Sequence, residues 1–147
     1  MRFWASMISI LLIDQLTKYW IAGIVAVGDS IRLIGDIVTV TYVHNRGAAF
    51  GLLQGQAPFF LIMALLVTAG MIYYHLKYSP PCWIQYACGL IVGGALGNVI
   101  DRWVYGSVRD FISVGWWPVF NVADTAIVCG GALLMIYVLL SEKSELT

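Results

Sequence analysis

The chain has 147 residues, of which 61% are hydrophobic and 11% are charged, and its mean hydropathy is +0.85. Because a soluble domain carries about twice that share of charge, the composition predicts a single integral membrane domain, residues 1–147, and excludes a large soluble module. Eight Lys and Arg balance eight Asp and Glu, so no net charge would attract nucleic acid and we expect no such partner.

The first predicted span, residues 3–27, contains Asp14 and Lys18, which are four residues apart and therefore share one helix face. An ionisable residue inside a span costs at least about 2.5 kcal/mol on insertion scales, so a helix keeps one only where it faces a partner or water. The two side chains either form an ion pair that merely neutralises itself or support an active site.

A polar stretch, residues 28–56, follows the first span. Within it, residues 37–43 are mostly β-branched and alternate Val38, Val40 and Tyr42 with two threonines, which predicts a strand. The run at residues 31–34, joined through Gly35 and Asp36, is the expected hairpin partner. We therefore predict a small sheet at the membrane surface.

The second and third predicted spans cover residues 57–74 and 83–104. The third span has Gly89, Gly93 and Gly97 at four-residue spacing, which indicates close packing against a neighbouring helix. Asn98 and Arg102 follow one turn apart near the same face, and they predict a polar cluster at the end of this helix.

A second polar segment, residues 105–118, contains Asp110, and the fourth predicted span covers residues 122–140. Asn121 fits the N-cap position of that span, and Asp124 fits the third helical position, where an acid meets free backbone N–H groups. Asp124 either only caps the helix or also takes part in chemistry.

The charged residues near one membrane face are balanced. They are four acids, Asp14, Asp101, Asp110 and Asp124, and four bases, Lys18, Arg46, Arg102 and Arg109. If the bases mainly hold Asp14 and Asp101, two carboxyls remain that can share a proton, and such a pair can catalyse hydrolysis.

Five short motifs follow one another along the chain. They are Asp14-Gln15-Leu16-Thr17-Lys18, Asn45-Arg46-Gly47-Ala48-Ala49-Phe50-Gly51, Gly93-Gly94-Ala95-Leu96-Gly97-Asn98 through Asp101-Arg102, Asp110-Phe111, and Phe120-Asn121-Val122-Ala123-Asp124. In this order, and spread over four predicted spans, they resemble the motifs of lipoprotein signal peptidase, also called signal peptidase II.

The resemblance implies a bacterial inner-membrane aspartic endopeptidase that removes the signal peptide of diacylglyceryl-modified prolipoproteins, cutting just before the lipidated cysteine. It makes Asp110 and Asp124 the catalytic aspartates. The residues that it implies for substrate binding or support are Asn45, Asn98, Arg102, Asn121, Asp14 and Lys18.

The implied fold is all-α and integral to the membrane, with four transmembrane helices, a small extracytoplasmic β-sheet and a short surface helix. The site would lie near the periplasmic face with both termini inside, although the count of Lys and Arg in the loops slightly favours the reverse orientation. We expect a monomer that meets prolipoprotein substrates and membrane lipids. His44 and His75 lack metal-ligand spacing, so we expect neither a metal nor another cofactor.

Arg109 departs from the commonest form of the pattern, in which an apolar residue often precedes the first catalytic aspartate. Turned toward the site, its charge would lower the pKa of Asp110. Strand alternation instead places Arg109 and Asp110 on opposite faces.

Aromatic side chains near the site either hold acyl chains or anchor the protein at the membrane interface; they are Phe50, Phe111, Trp116 and Trp117. The alternative functions are a small transporter or ion channel and a structural subunit of a larger complex. A transporter predicts internal repeats, which the two halves of the sequence do not clearly show.

Overall fold

The computed structural model describes residues 1–47 and 55–145, and within these ranges it has four helices and three strands. They are α1 (Arg2–Ile24), β1 (Ser30–Ile34), β2 (Val38–Asn45), α2 (Ala57–Tyr78), α3 (Cys82–Tyr105), β3 (Val108–Val114) and α4 (Val122–Glu145). Each of these helices is long and apolar enough to cross a membrane. The chain is therefore a multi-pass membrane protein.

Three helices end at positions that differ by several residues from the predicted spans: α4 extends five residues beyond residue 140, to Glu145, and α1 and α2 differ for reasons that the structure shows. Helix α1 ends at Ile24, three residues early, because Val25 takes extended backbone and packs with Tyr42 and Phe111 beneath the sheet. Helix α2 continues four residues beyond its predicted end and stops at Ser79, whose φ of 43° is left-handed. Apolar periodicity did not reveal either ending, since tertiary packing sets the first and a backbone turn the second.

Helix α3 packs between α1 and α4, and α2 packs against α3. The glycines of α3 allow its close approach to α1 and α4. A Cβ atom at Gly93 would lie 2.6 Å from the Met7 carbonyl oxygen of α1, and Gly89 lies against the same helix. Gly94 lies against the Ala123 carbonyl of α4. The predicted packing role of the glycine stripe is confirmed, and it brings polar residues of three helices together at one end of the bundle.

The sheet lies at that end and joins the two polar segments. Strands β1 and β2 form the predicted antiparallel hairpin. Strand β3 comes from the second polar segment and pairs antiparallel with β2, with Val43 opposite Asp110 and Asn45 opposite Val108. The sheet therefore places Asn45, the last residue of β2, beside the strand that carries Asp110.

The short surface helix that the resemblance implies does not occur in residues 1–47 and 55–145. Residues 48–54 lie outside the described residues. Part of the second motif, residues 48–51 with Phe50, falls there too.

Candidate active site

Asp110 lies on β3 with its carboxyl almost fully buried, at 1% exposure. The Asn121 side-chain amide donates a hydrogen bond of 2.7 Å to one carboxyl oxygen, and the Asn45 amide donates one of 2.9 Å to the other. The Asn45 amide oxygen in turn accepts from the Gly47 backbone N–H at 2.9 Å. That bond fixes which end of the Asn45 amide faces Asp110.

The environment of Asp110 favours its protonated form. Burial raises the pKa of this carboxyl, and the nearby charge of Asp124 raises it further, whereas the hydrogen bonds from Asn45 and Asn121 lower it. The result is a pKa raised from 3.8 to about 7. Asp110 can therefore carry a proton close to neutral pH, which a general acid requires.

Asp124 lies in the first turn of α4 and forms a reciprocal cap with Asn121. The Asp124 backbone N–H donates to the Asn121 side-chain oxygen at 2.9 Å, and the Asn121 backbone N–H donates to one Asp124 carboxyl oxygen at 3.2 Å. This confirms the predicted capping positions. The other carboxyl oxygen accepts from the Asn98 side-chain amide at 2.8 Å, so capping does not account for the whole environment of Asp124.

A buried charge cluster lies beside the two aspartates and consists of Asp14, Lys18, Asp101 and Arg109. The Lys18 ammonium is 2.8 Å from the Asp14 carboxylate and 3.3 Å from that of Asp101. The Arg109 guanidinium is 2.7 Å from the Asp101 carboxylate. Two acids and two bases balance in the cluster, so its bases are engaged and the carboxyls of Asp110 and Asp124 remain outside it.

Helix α1 supports the site through two further hydrogen bonds. Lys18 donates to the Asn98 side-chain oxygen at 2.9 Å, and Asn98 contacts Asp124. Asp14 accepts a hydrogen bond of 2.9 Å from the Ala123 backbone N–H, at the start of α4. The Asp14 and Lys18 pair therefore neutralises itself and also fixes the position of α4.

The other two bases of the predicted charge balance, Arg46 and Arg102, lie outside the buried charge cluster. Arg46 is exposed. Arg102 lies near the site, with its guanidinium over the Phe60 ring and 3.5 Å from the Gly47 carbonyl oxygen. Neither one forms a salt bridge within residues 1–47 and 55–145. The bases that hold Asp14 and Asp101 are therefore Lys18 and Arg109, and the other two arginines take no part in those ion pairs.

Asp110 and Asp124 both border one cavity, whose volume is about 250 Å³. The cavity is lined by Asn45, Gly47, Asn98, Arg102, Val108, Asp110, Trp117, Pro118, Val119, Phe120, Asp124, Ile127 and Val128. Two further cavities meet it at Asp124. One, of about 370 Å³, lies between α2, α3 and α4, and the other, of about 270 Å³, lies beside Phe120 and Val128. Both of these cavities have mostly apolar walls, and both reach the Asp124 carboxyl.

Sequence reasoning left two residues outside the predicted site. Gln15 donates to the Asp14 carboxylate and the Gly97 carbonyl, both at 3.1 Å, and accepts from Arg109 at 3.2 Å. Asp101 is completely buried. Both are polar residues inside predicted spans, and that signal alone could have included them. Gly97 also matters, since a Cβ there would collide with the Asp14 carboxylate.

The aromatic side chains take different positions. Phe111 is buried with Ile21, Val25 and Tyr42 beneath the sheet, so the expectation that it could hold acyl chains is wrong. Trp117 lines the cavity that contains the two aspartates. Within the described ranges, no three His, Cys, Asp or Glu side chains are placed to hold a metal ion.

Comparisons with known proteins cover nearly the whole chain. The family model described as Signal peptidase (SPase) II matches residues 6–140. A lipoprotein signal peptidase of Syntrophomonas wolfei subsp. wolfei is 49% identical over 145 residues, covering 99% of this chain and 97% of the relative. One from Halothermothrix orenii is 41% identical over 134 residues, covering 91% and 92%.

Two solved structures, both described as bacterial membrane enzymes, share the fold. The first has a TM-score of 0.90 and 34% identity, and the match covers 95% of this chain and 88% of the other. The second has a TM-score of 0.84 and 36% identity, with 92% and 90% covered. The fold and the sequence thus point to the same group of proteins.

Proposed function

The chain belongs to the signal peptidase II family, and from that premise we propose that it is an aspartic endopeptidase in which Asp110 and Asp124 are the catalytic pair. Its substrates are diacylglyceryl-modified prolipoproteins, which it cuts just before the lipidated cysteine. One observation carries the aspartic mechanism. Both carboxyls line one cavity while the buried bases beside them, Lys18 and Arg109, are held by other acids.

The proton of the catalytic pair resides on Asp110, whose pKa is about 7. Asp124 is the ionised partner, because it lies in the first turn of α4, where the helix favours negative charge. The two carboxyls therefore have opposite tasks at neutral pH, as two acids in different environments often do.

Hydrolysis then follows with balanced protons. Asp124 accepts a proton from a water whose oxygen attacks the scissile carbonyl carbon, while Asp110 donates its proton to the carbonyl oxygen. When the tetrahedral intermediate breaks its C–N bond, Asp124 passes its proton to the leaving nitrogen. Asp110 recovers a proton from the intermediate's hydroxyl group, and the pair returns to its starting state.

The substrate reaches the pair from the bilayer. Its signal helix and acyl chains are apolar, and the two cavities that meet the main one at Asp124 have mostly apolar walls. The protein lies in the bacterial inner membrane as a monomer, with the site near the periplasmic face and both termini in the cytoplasm. The sheet is on the same side as the site, since β3 carries Asp110.

The test is cleavage of a purified diacylglyceryl-modified prolipoprotein, followed by gel shift and by mass spectrometry of the new N-terminus. We expect the unchanged protein to release a product that begins with the lipidated cysteine. Asp110→Asn and Asp124→Asn should each lose this activity while remaining folded. Asp36→Asn is the matched control, because the Asp36 side chain is 82% exposed on the hairpin. Full activity in either site variant would refute the aspartic mechanism.

A further inference from the structure

Arg109 makes more contacts than are needed to neutralise the charge of Asp101. Its guanidinium donates to both oxygens of Asp101, at 2.7 and 3.2 Å, and its backbone N–H donates to Asp101 at 2.9 Å. It also donates to Gln15 of α1 and lies over the Tyr105 ring, 4.5 Å from the ring centre. Only 5% of the residue is exposed. A bidentate pair of this kind fixes geometry as well as charge.

These contacts set the position of the catalytic residue next to it. Arg109 and Asp110 are neighbours on β3, and alternation places their side chains on opposite faces. Asp101 belongs to α3. When Arg109 binds Asp101 through both its side chain and its backbone, β3 is held against α3 at the residue before Asp110.

Asp124, the other proposed catalytic residue, is also connected to the contact between Arg109 and Asp101. Lys18 lies between Asp101, at 3.3 Å, and the Asn98 side-chain oxygen, at 2.9 Å. Because the Asn98 oxygen faces Lys18 and also accepts from Asn121 at 3.1 Å, its amide nitrogen faces Asp124. The orientation of Asn98 thus depends on where Lys18 lies.

Removing the guanidinium would disturb both connections. Asp101 would keep Lys18 as its only cationic partner in the buried charge cluster, which would then carry one excess negative charge. Lys18 would move toward Asp101 and away from Asn98, since a buried carboxylate that has lost its closest cation attracts the remaining one more strongly. β3 would also lose its side-chain attachment to α3.

We propose that Arg109 is a positioning residue, which fixes the spacing of Asp110 and Asp124 by holding Asp101 and leaving Lys18 on Asn98. The inference rests on the proposed function. It makes Arg109 a determinant of turnover without contact to substrate, since its side chain lies on the face of β3 away from Asp110.

The test compares Arg109→Val, Arg109→Lys and Arg32→Val with the unchanged protein in the prolipoprotein assay. For Arg109→Val we expect kcat to fall by about ten- to a hundredfold with KM little changed, because the pair is displaced while the substrate cavity is intact. Arg109→Lys keeps the charge but loses the bidentate geometry, and should recover part of the loss. Arg32 is the control, since its side chain is 76% exposed on β1.

The possible outcomes separate the two claims. An unchanged kcat in folded Arg109→Val, or a change confined to KM, would overturn the positioning role. If thermal melting shows that Arg109→Val does not fold, Arg109→Lys decides, and a wild-type kcat in that variant would overturn the inference. Failure of the unchanged protein to cleave would refute the proposed function, together with the inference that depends on it.

Discussion

Asp110 should make the folded protein less stable at neutral and alkaline pH. Its pKa is raised from 3.8 to about 7, so the folded state binds this proton more tightly than the unfolded state does. The resulting loss of stability is absent below about pH 3.8, grows as pH rises toward 7, and is constant above that value. Each pH unit of the difference corresponds to about 1.4 kcal/mol, so ionising Asp110 costs the folded protein on the order of 4 kcal/mol.

Asp110→Asn removes that charge with little change of size, but its NH2 group faces one of the two amides that donate to Asp110, and that cost is the same at every pH. We therefore expect the free energy of unfolding of the variant, relative to that of the unchanged protein, to rise by about 4 kcal/mol between pH 4 and pH 8. For a chain of this size the difference in melting temperature between the two proteins should change on the order of 10 °C over the same range. The variant should be inactive at both pH values.

The measurement is thermal or denaturant unfolding in detergent at pH 4, 6 and 8. Asp36→Asn is again the matched control and should show no pH-dependent difference, since an exposed ion pair such as that of Asp36 with Arg32 contributes little. A stability difference between Asp110→Asn and the unchanged protein that stays constant from pH 4 to pH 8 would refute the reasoning.

Three further predictions concern the network and the topology. The cleavage rate should be bell-shaped in pH, falling above about pH 7 as Asp110 loses its proton and falling in acid as its partner gains one; a rate that stays flat in acid would contradict a shared proton. Asp14→Ala should destabilise the protein by about 3–5 kcal/mol and reduce activity, since it removes a partner of buried Lys18. Unfolding in detergent measures this loss, and unchanged stability would show that the Asp14 and Lys18 pair does not support the site. In a background without native cysteines, Asp29→Cys should react with an impermeant thiol reagent in intact spheroplasts and Ser79→Cys should not; the opposite labelling would reverse the proposed orientation.

Local patterns predicted the parts of the fold that depend on neighbouring residues. The hairpin followed from alternation and the Gly35 turn, and the cap of α4 followed from the spacing of Asn121 and Asp124. The glycine spacing of α3 predicted its close packing. Each of these features is set by residues a few positions apart, so the sequence carries the signal directly.

Contacts between distant segments could not be predicted in this way. The Asn45 amide meets Asp110 only because β2 and β3 pair in one register, and no local pattern specifies that register. The burial of Phe111 has the same origin, since its neighbours beneath the sheet come from α1 and β2. The exposure of Arg46 went unnoticed because counting charges does not indicate which of them can reach a partner.

The hydrogen bond from the Ala123 N–H to Asp14 joins residues that are 109 positions apart. During synthesis, Asp14 enters the membrane long before this partner exists, and the adjacent Lys18 can neutralise it within the same helix. The attachment that fixes α4 forms only after the last helix has inserted. The proposed site can therefore form only when α4, which carries Asp124, has joined the other helices.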